Sequence, residues 1–118
     1  MVEQEILTRG GVYLARLDPA KEPEVGKIRP VVILNTQSTL DISPAILFVC
    51  PLTSRSKPEY ESLRVELPPR DNLKATSYTL IEHCRAIWGK RIIHPRLAQL
   101  TTTEISSILN RLRYLVGM

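Results

Sequence analysis

The sequence predicts a small, mainly β domain, a strongly bent barrel closed by one C-terminal helix. Three observations lead to this fold class. The chain has 118 residues, the length of one domain. Short runs of apolar and β-branched residues alternate with turn-forming residues, which is typical of strands. The hydrophobic period then changes to that of a helix over the final residues. We therefore expect a single domain over residues 1–118.

The strands are predicted from the length and period of the apolar runs. Two continuous apolar runs, 30–34 and 45–50, are typical of buried strands, whereas 63–67 alternates and indicates a half-exposed strand. A first strand follows Gly10 and Gly11, and the long stretch after Tyr78 provides one or two more. The charged, turn-rich segment between the first two strands predicts a long loop. The remaining predicted elements are strand 12–17, loop 18–27 and strand region 78–88.

The C-terminal helix is predicted from its capping pattern. Thr101 and Glu104 form a capping box, in which each side chain satisfies a free backbone N–H group of the first turn. Gly117 is placed to end the helix. The apolar residues between them fall on one face and are expected to pack on the barrel: Ile105, Ile108, Leu109, Leu112, Leu115 and Val116.

The positive charge is concentrated at one end of the chain. The net charge is +4, but residues 85–118 contain 6 basic and 1 acidic side chain and therefore carry +5. Arg111 and Arg113 are explained by the C-terminal end of the helix dipole. Attraction to phosphate groups is a fair explanation for the others, Arg85, Lys90, Arg91 and Arg96.

Several classes of protein do not fit the sequence. No apolar run approaches the roughly 20 residues that span a bilayer, and the N-terminal residues lack the pattern of a signal peptide. The two cysteines, Cys50 and Cys84, lie in apolar runs and are interpreted as small buried hydrophobic residues. No Cys/His cluster has metal-ligand spacing. We expect a cytoplasmic protein with no cofactor, no metal site and no membrane contact.

Two strand ends carry groups suited to RNA cleavage. RNA can be cut without a metal when its own 2′-hydroxyl attacks the phosphate and the protein stabilises the resulting charge. Arg29, held in extended backbone by Pro30, and Thr53, at the end of strand 45–50, would supply a guanidinium and a hydroxyl. Arg29 could instead form a surface salt bridge, and Thr53 with Ser54 could merely cap a turn.

A histidine pair is a less favoured alternative. His83 and His94 are the only histidines, and a two-histidine ribonuclease would need both to converge. His94 precedes Pro95 and is expected in a loop, whereas His83 is expected in a strand.

Five motifs follow one another in a fixed order along the chain. They are Arg9-Gly10-Gly11-Val12-Tyr13, Leu17-Asp18-Pro19, Gly26-Lys27-Ile28-Arg29-Pro30-Val31-Val32-Ile33, Cys50-Pro51-Leu52-Thr53-Ser54 and Glu82-His83-Cys84-Arg85-Ala86-Ile87. Together they resemble the MazF/PemK family of toxin–antitoxin ribonucleases. The resemblance implies a barrel related to SH3-like folds, of the CcdB/PemK type, and a homodimer. It also implies sequence-specific, metal-independent cleavage of single-stranded RNA that leaves a 2′,3′-cyclic phosphate. The implied partner is an antitoxin whose acidic, flexible tail occupies the substrate groove.

The resemblance assigns roles to individual residues. Arg29 matches the arginine that stabilises the phosphate, and Thr53 matches the hydroxyl that orients it; these two are the implied catalytic residues. Glu24 matches an acidic residue of the first loop and would position that loop over RNA. Arg85 matches a motif arginine, for which a buried structural role is an open alternative. The implied substrate-binding residues are Glu24, Lys27, Ser54, Arg55, Glu82 and Arg85.

The last motif departs from the family pattern. His83, Ala86 and Trp88 replace the usual Gln, Thr and Asp, and Leu80 stands where some members have a second arginine. Two alternatives therefore stay open. One is a protein-binding toxin that resembles the CcdB gyrase poisons and acts through its C-terminal helix. The other is an RNA-binding barrel that has lost catalysis.

Overall fold

The structure, a computed structural model, describes residues 6–17 and 27–118. Most of the predicted loop 18–27 and the candidate residue Glu24 lie outside these described residues. Within them, no helix is long and apolar enough to cross a membrane.

The described residues form a curled, seven-stranded antiparallel sheet with a C-terminal helix, which confirms the predicted fold class. The order across the sheet is β4-β5-β3-β2-β1-β7, and β6 also pairs with β3. The strands are β1 Gly11–Arg16, β2 Ile28–Ile33, β3 Ile46–Thr53, β4 Glu66–Leu67, β5 Ser77–Thr79, β6 Arg85–Trp88 and β7 Ile92–Gln99.

Strand β3 organises the sheet because it has different partners along its length. One edge pairs with β2, with Val31 opposite Pro51. On the other edge, the first half of β3 pairs with β6, and its last two residues pair with β5. The sheet therefore divides at the middle of β3. The region 78–88, predicted to provide one or two strands, contributes to two, β5 and β6, which are separated by a 3₁₀ turn at Ile81–His83.

Successive side chains of a strand point to opposite faces, and each face carries its own core. The helix-side core lies on one face, with Leu63, Cys84, Leu97, Ile105 and Leu112 packed against it. It consists of Val12, Val32, Leu34, Cys50, Leu52, Val65, Leu67, Leu73, Ile81, Ala98, Leu100 and Ile108. The second core lies on the other face and consists of Tyr13, Ala15, Leu17, Val31, Ile33, Leu40, Leu47, Val49, Ile87 and Ile92.

The C-terminal helix, α2 (Thr102–Val116), begins and ends as predicted. The N–H of Glu104 donates to the Thr101 hydroxyl at 3.1 Å, and the Thr101 N–H donates to the Glu104 carboxylate at 2.9 Å. Gly117 ends the helix in the left-handed conformation, with φ of 79°. Ile108 is fully buried, but Leu115 and Val116 are 43% and 58% exposed. The prediction that the whole apolar stripe packs on the sheet was therefore wrong for the last turn.

Strand β7 corrects one sequence prediction. His94 lies within this strand and not in a loop. Its neighbour Pro95 made the segment look irregular, because proline lacks the N–H that a central strand needs. Among the described strands, β7 is at the edge of the sheet and pairs with β1 alone, with a register shift between Val12 and Leu14. An edge position tolerates proline.

The middle of the chain contains more turns than its pattern predicted. A 3₁₀ segment at Pro58–Leu63 precedes β4, and only Glu66–Leu67 of the predicted strand 63–67 pairs in the sheet. A single helical turn, α1 (Gln37–Leu40), was not predicted. Leu40 anchors it in the second core. Four residues are too few for a helical period to show in the sequence.

Candidate active site

Arg29 and Thr53 lie on neighbouring strands at the same end of the sheet. Val31 and Pro51 form the last pair between β2 and β3, and Arg29 and Thr53 each lie two residues beyond this pair, at the same end of the two strands. Alternation along each strand places both side chains on the face of the second core. Arg29 is also paired with Ala15 of β1, a member of that core. The fold therefore brings together the two predicted catalytic residues.

Arg85 extends this group along the same face. It lies opposite Val49, four residues before Thr53 on β3. At a rise of about 3.3 Å per residue, the positions of Arg85 and Arg29 are offset by about 13 Å along the strands. The arrangement is therefore elongated, as a site for an extended ligand would be. We call Arg29, Thr53 and Arg85 the arginine face.

Both guanidinium groups of the arginine face are incompletely satisfied. Nε of Arg29 and Nη1 of Arg85 are buried and have no hydrogen-bond partner among the described residues. Neither arginine forms an ion pair with a described carboxylate. Leaving a buried charged donor unpaired costs free energy, and an anionic ligand would remove that cost. Phosphate oxygens accept charge-assisted hydrogen bonds of this kind from arginine.

The hydroxyl of Thr53 is oriented by its own turn. The backbone N–H of Arg55 donates to Oγ1 of Thr53 at 3.2 Å, so the turn-capping role considered from the sequence is present. This bond uses a lone pair of the oxygen and leaves the O–H free to donate. A capping role and a phosphate-orienting role are therefore compatible.

Glu82 is occupied by a partner that the sequence did not indicate. Arg64 donates two hydrogen bonds to the Glu82 carboxylate, at 2.6 and 2.7 Å. The Arg64 side chain is only 8% exposed, and its guanidinium also lies over the Tyr60 ring. Burial alone would raise the pKa of Glu82, but the bonds and charge of Arg64 outweigh it and lower the pKa. Glu82 thus anchors the turn that leads into Arg85, and its oxygens are already engaged.

Three further predicted substrate-binding residues, among those that the structure describes, are exposed next to the arginine face. Lys27 lies directly before β2, and Ser54 and Arg55 lie in the turn directly after β3. These positions flank Arg29 and Thr53, respectively.

The basic C-terminal region is partly explained by internal bonds. Arg96 donates to Thr8 and Gln99, and Arg91 donates to the backbone oxygen of Arg16 at 3.1 Å. Arg111 donates to the backbone oxygen of Ser62 at 2.9 Å. These arginines therefore have structural partners, which weakens the expectation that the whole region attracts phosphate. In residues 6–17 and 27–118, no three Cys, His, Asp or Glu side chains are grouped as a metal site.

Comparison with known proteins identifies the family. The family described as the PemK-like, MazF-like toxins of type II toxin–antitoxin systems matches residues 8–116. The chain belongs to this family. The endoribonuclease MazF of Staphylococcus saprophyticus is 29% identical over 114 residues, covering 96% of this chain and 93% of that protein.

Solved structures of the MazF family share the fold. MazF from Deinococcus radiodurans superimposes with a TM-score of 0.81 at 24% identity, covering 98% of this chain and 100% of that one. A MazE–MazF structure from the same organism gives 0.75 at 25% identity, covering 98% and 99%. The Mycobacterium tuberculosis toxin MazF-mt6 gives 0.73 at 16% identity, covering 92% and 97%.

Proposed function

We propose that this chain is an endoribonuclease toxin that cleaves single-stranded RNA at specific sequences, without a metal ion. The observation that carries the proposal is the arginine face, where two guanidinium groups with unpartnered buried nitrogens share one face with the Thr53 hydroxyl. Membership of the toxin family and likeness to a relative named as an endoribonuclease support it.

In the proposed reaction, the RNA supplies its own nucleophile. The 2′-oxygen forms a bond to phosphorus while the bond from phosphorus to the 5′-oxygen breaks. The 2′-hydroxyl loses its proton, and the leaving 5′-oxygen gains one. The products are a 2′,3′-cyclic phosphate and a 5′-hydroxyl, so no water is consumed in this step.

Arg29 and Thr53 would stabilise the charge that builds up during this step. The Arg29 guanidinium donates to the non-bridging oxygens of the phosphorane, and the Thr53 O–H holds one of them in place. Removing one such donor from an enzyme typically costs about 10²–10³-fold in rate. Arg85, offset along the face, would bind a neighbouring phosphate of the same strand.

The proposed assembly is a homodimer that contacts through an exposed apolar strip. Ile46 and Trp88 pair across β3 and β6, and Phe48 lies on the same face. These residues, which we call the apolar strip, are 46%, 62% and 37% exposed. Exposed apolar side chains in a contiguous patch are typical of interaction sites. Ile46 and Phe48 alternate with Leu47 and Val49 of the second core, so the apolar strip lies on the opposite face of the sheet from the arginine face. A second copy is the favoured occupant, because closed two-fold pairs are the commonest homo-oligomers.

We further propose that an antitoxin with an acidic, flexible segment inhibits the enzyme. Solved MazE–MazF structures of the family support an antitoxin partner. Carboxylates of such a segment would satisfy the same guanidinium groups as RNA phosphates, so the segment should compete with RNA. Both interactions should weaken with salt.

One assay tests the proposed activity and separates it from its rivals. The purified protein is incubated with a long RNA in EDTA, and the ends of the fragments are analysed. Cleavage at defined sequences with cyclic phosphate ends supports the proposal. Cleavage that requires added magnesium and leaves 3′-hydroxyl ends contradicts it.

The same assay needs one control and distinguishes two further outcomes. An Arg29→Ala preparation, purified identically, should cleave about 10²–10³-fold more slowly, which excludes a contaminating nuclease as the source of the activity. RNA binding without cleavage indicates a barrel that has lost catalysis, and neither binding nor cleavage indicates a toxin that acts on proteins.

A further inference from the structure

The two cysteines are brought together by strand register. Val49 of β3 is paired with Arg85 of β6. Cys50 and Cys84 each lie one residue beyond this last pair, Cys50 on β3 and Cys84 directly before β6, and the two side chains are in contact although 33 residues separate them along the chain. Both are free thiols. From the sequence alone, each was interpreted as an isolated buried residue.

Their side chains also lie on the same face of the sheet. Cys50 is a member of the helix-side core, and Cys84 packs against that core. Contact with the Cys84 thiol, followed by burial, raises the pKa of the Cys50 thiol. The adjoining residues Val49 and Arg85 are directly opposite in antiparallel strands, a position at which Cα atoms are about 4.5–5.5 Å apart, and disulfides span about 4.4–6.8 Å. The backbone separation next to the two thiols is therefore compatible with a disulfide.

The two thiols differ in access to solvent. Cys50 is fully buried, whereas Cys84 is partly exposed at the end of the 3₁₀ turn before β6. An oxidant from solvent therefore reaches Cys84 first, and Cys50 is the neighbour placed to react with the product.

We propose that Cys50 and Cys84 form a redox-sensitive pair that a hydroperoxide converts to a disulfide. The Cys84 thiolate attacks hydrogen peroxide, whose O–O bond breaks, to give a sulfenic acid and a hydroxide ion, and the hydroxide takes up the proton that the thiol released to form one water molecule. The Cys50 sulfur then attacks the Cys84 sulfur and forms the S–S bond. The hydroxyl of the sulfenic acid leaves with the Cys50 proton as a second water molecule.

The disulfide would act on the arginine face through its neighbours in sequence. Arg85 directly follows Cys84, and Thr53 lies three residues after Cys50. Bond formation brings the sulfurs from non-bonded contact to about 2.05 Å, and shifts the two segments relative to each other. A misplacement of about 1 Å can cost on the order of 10²-fold in rate. We therefore expect oxidation to reduce RNA cleavage reversibly; this consequence rests on the proposed function.

Peptide mass analysis tests the pair without reference to activity. The folded protein is treated with hydrogen peroxide, remaining thiols are blocked, and the protein is digested without reduction. The expected result is a peptide that links Cys50 to Cys84, lighter than the two reduced peptides by about two mass units, and absent after dithiothreitol. Overoxidised Cys84 with no linked peptide, or a link between two protein molecules, would overturn the proposal.

Cleavage rates then test the consequence. The oxidised native protein should cut RNA at least about tenfold more slowly than the reduced protein, and dithiothreitol should restore the rate. Cys84→Ser should keep the native rate and be insensitive to peroxide. Full activity of a completely linked sample would show that the disulfide does not regulate the site. If the reduced protein and C84S are both inactive, the proposed function fails, while the mass result still decides whether the pair forms.

Discussion

The Arg29→Ala substitution separates catalysis from stability. Replacing a residue that stabilises the fold should lower the free energy of unfolding. Replacing Arg29 should not, because its Nε is buried without a partner and it forms no ion pair with a described residue. A bound anionic ligand better explains a partly buried arginine with an unpartnered nitrogen. We therefore expect the substitution to affect the cleavage rate strongly and the free energy of unfolding only weakly.

The structure allows both magnitudes to be estimated. Removing an unsatisfied buried donor relieves a cost of about 1–3 kcal/mol. Truncation also removes the half-buried aliphatic stem, at about 0.8 kcal/mol for each methylene that is fully buried. These effects oppose each other, so the free energy of unfolding should stay within about 1 kcal/mol of the native value. The cleavage rate should fall by about 10²–10³-fold.

The assay measures urea unfolding and single-turnover cleavage on the same preparation. Arg113→Ala is the matched control, because it removes the same charge from an exposed position of α2 and should change neither quantity. Arg29→Lys should give an intermediate rate, since it keeps the charge but loses the guanidinium fork. A marked loss of stability together with a native rate per folded molecule would refute the reasoning and assign Arg29 a structural role.

Three other predictions concern catalysis, pH and assembly. Thr53→Val should reduce cleavage by about ten- to a hundredfold, the effect of losing one hydrogen bond to a charged group, whereas Thr53→Ser should stay near native. The Arg70 guanidinium lowers the pKa of Glu104 from its ordinary value of 4.5. The stability this pair contributes is therefore present above pH 4.5 and is lost as the pH falls through the lower native pKa. In urea unfolding, the free energy of unfolding of Glu104→Gln should fall less steeply with decreasing pH across that range than that of the native protein. The same pH dependence in both proteins would contradict the linkage. Trp88→Glu should convert the dimer to a monomer, as measured by light scattering. Ala75→Glu, an equal charge change at another exposed position, should leave the dimer intact. A Trp88→Glu variant that is still a dimer would exclude the apolar strip as the dimer interface.

Sequence reasoning succeeded where a few adjacent residues determine the structure. Thr101 and Glu104 cap α2 through bonds within one turn, so their spacing was sufficient to place the start of the helix. Pro30 fixed the extended backbone of Arg29 in the same local way. Sequence reasoning failed at β7, because a strand accepts Pro95 only when it lies at the edge of the sheet. It also misjudged the last turn of α2, whose apolar residues extend beyond the core they were expected to cover.

The sequence by itself determined the fold class, the helix with its cap, and the identity of the two groups at the strand ends. Only the tertiary structure decided which distant residues meet. Arg64 neutralises Glu82, and Cys50 faces Cys84, because of strand register and turn packing. The physical reason is that a shift of one residue in register moves every side chain of a strand to the other face. That register is set by the cooperative packing of the whole sheet, so it cannot be deduced from the sequence of either segment alone.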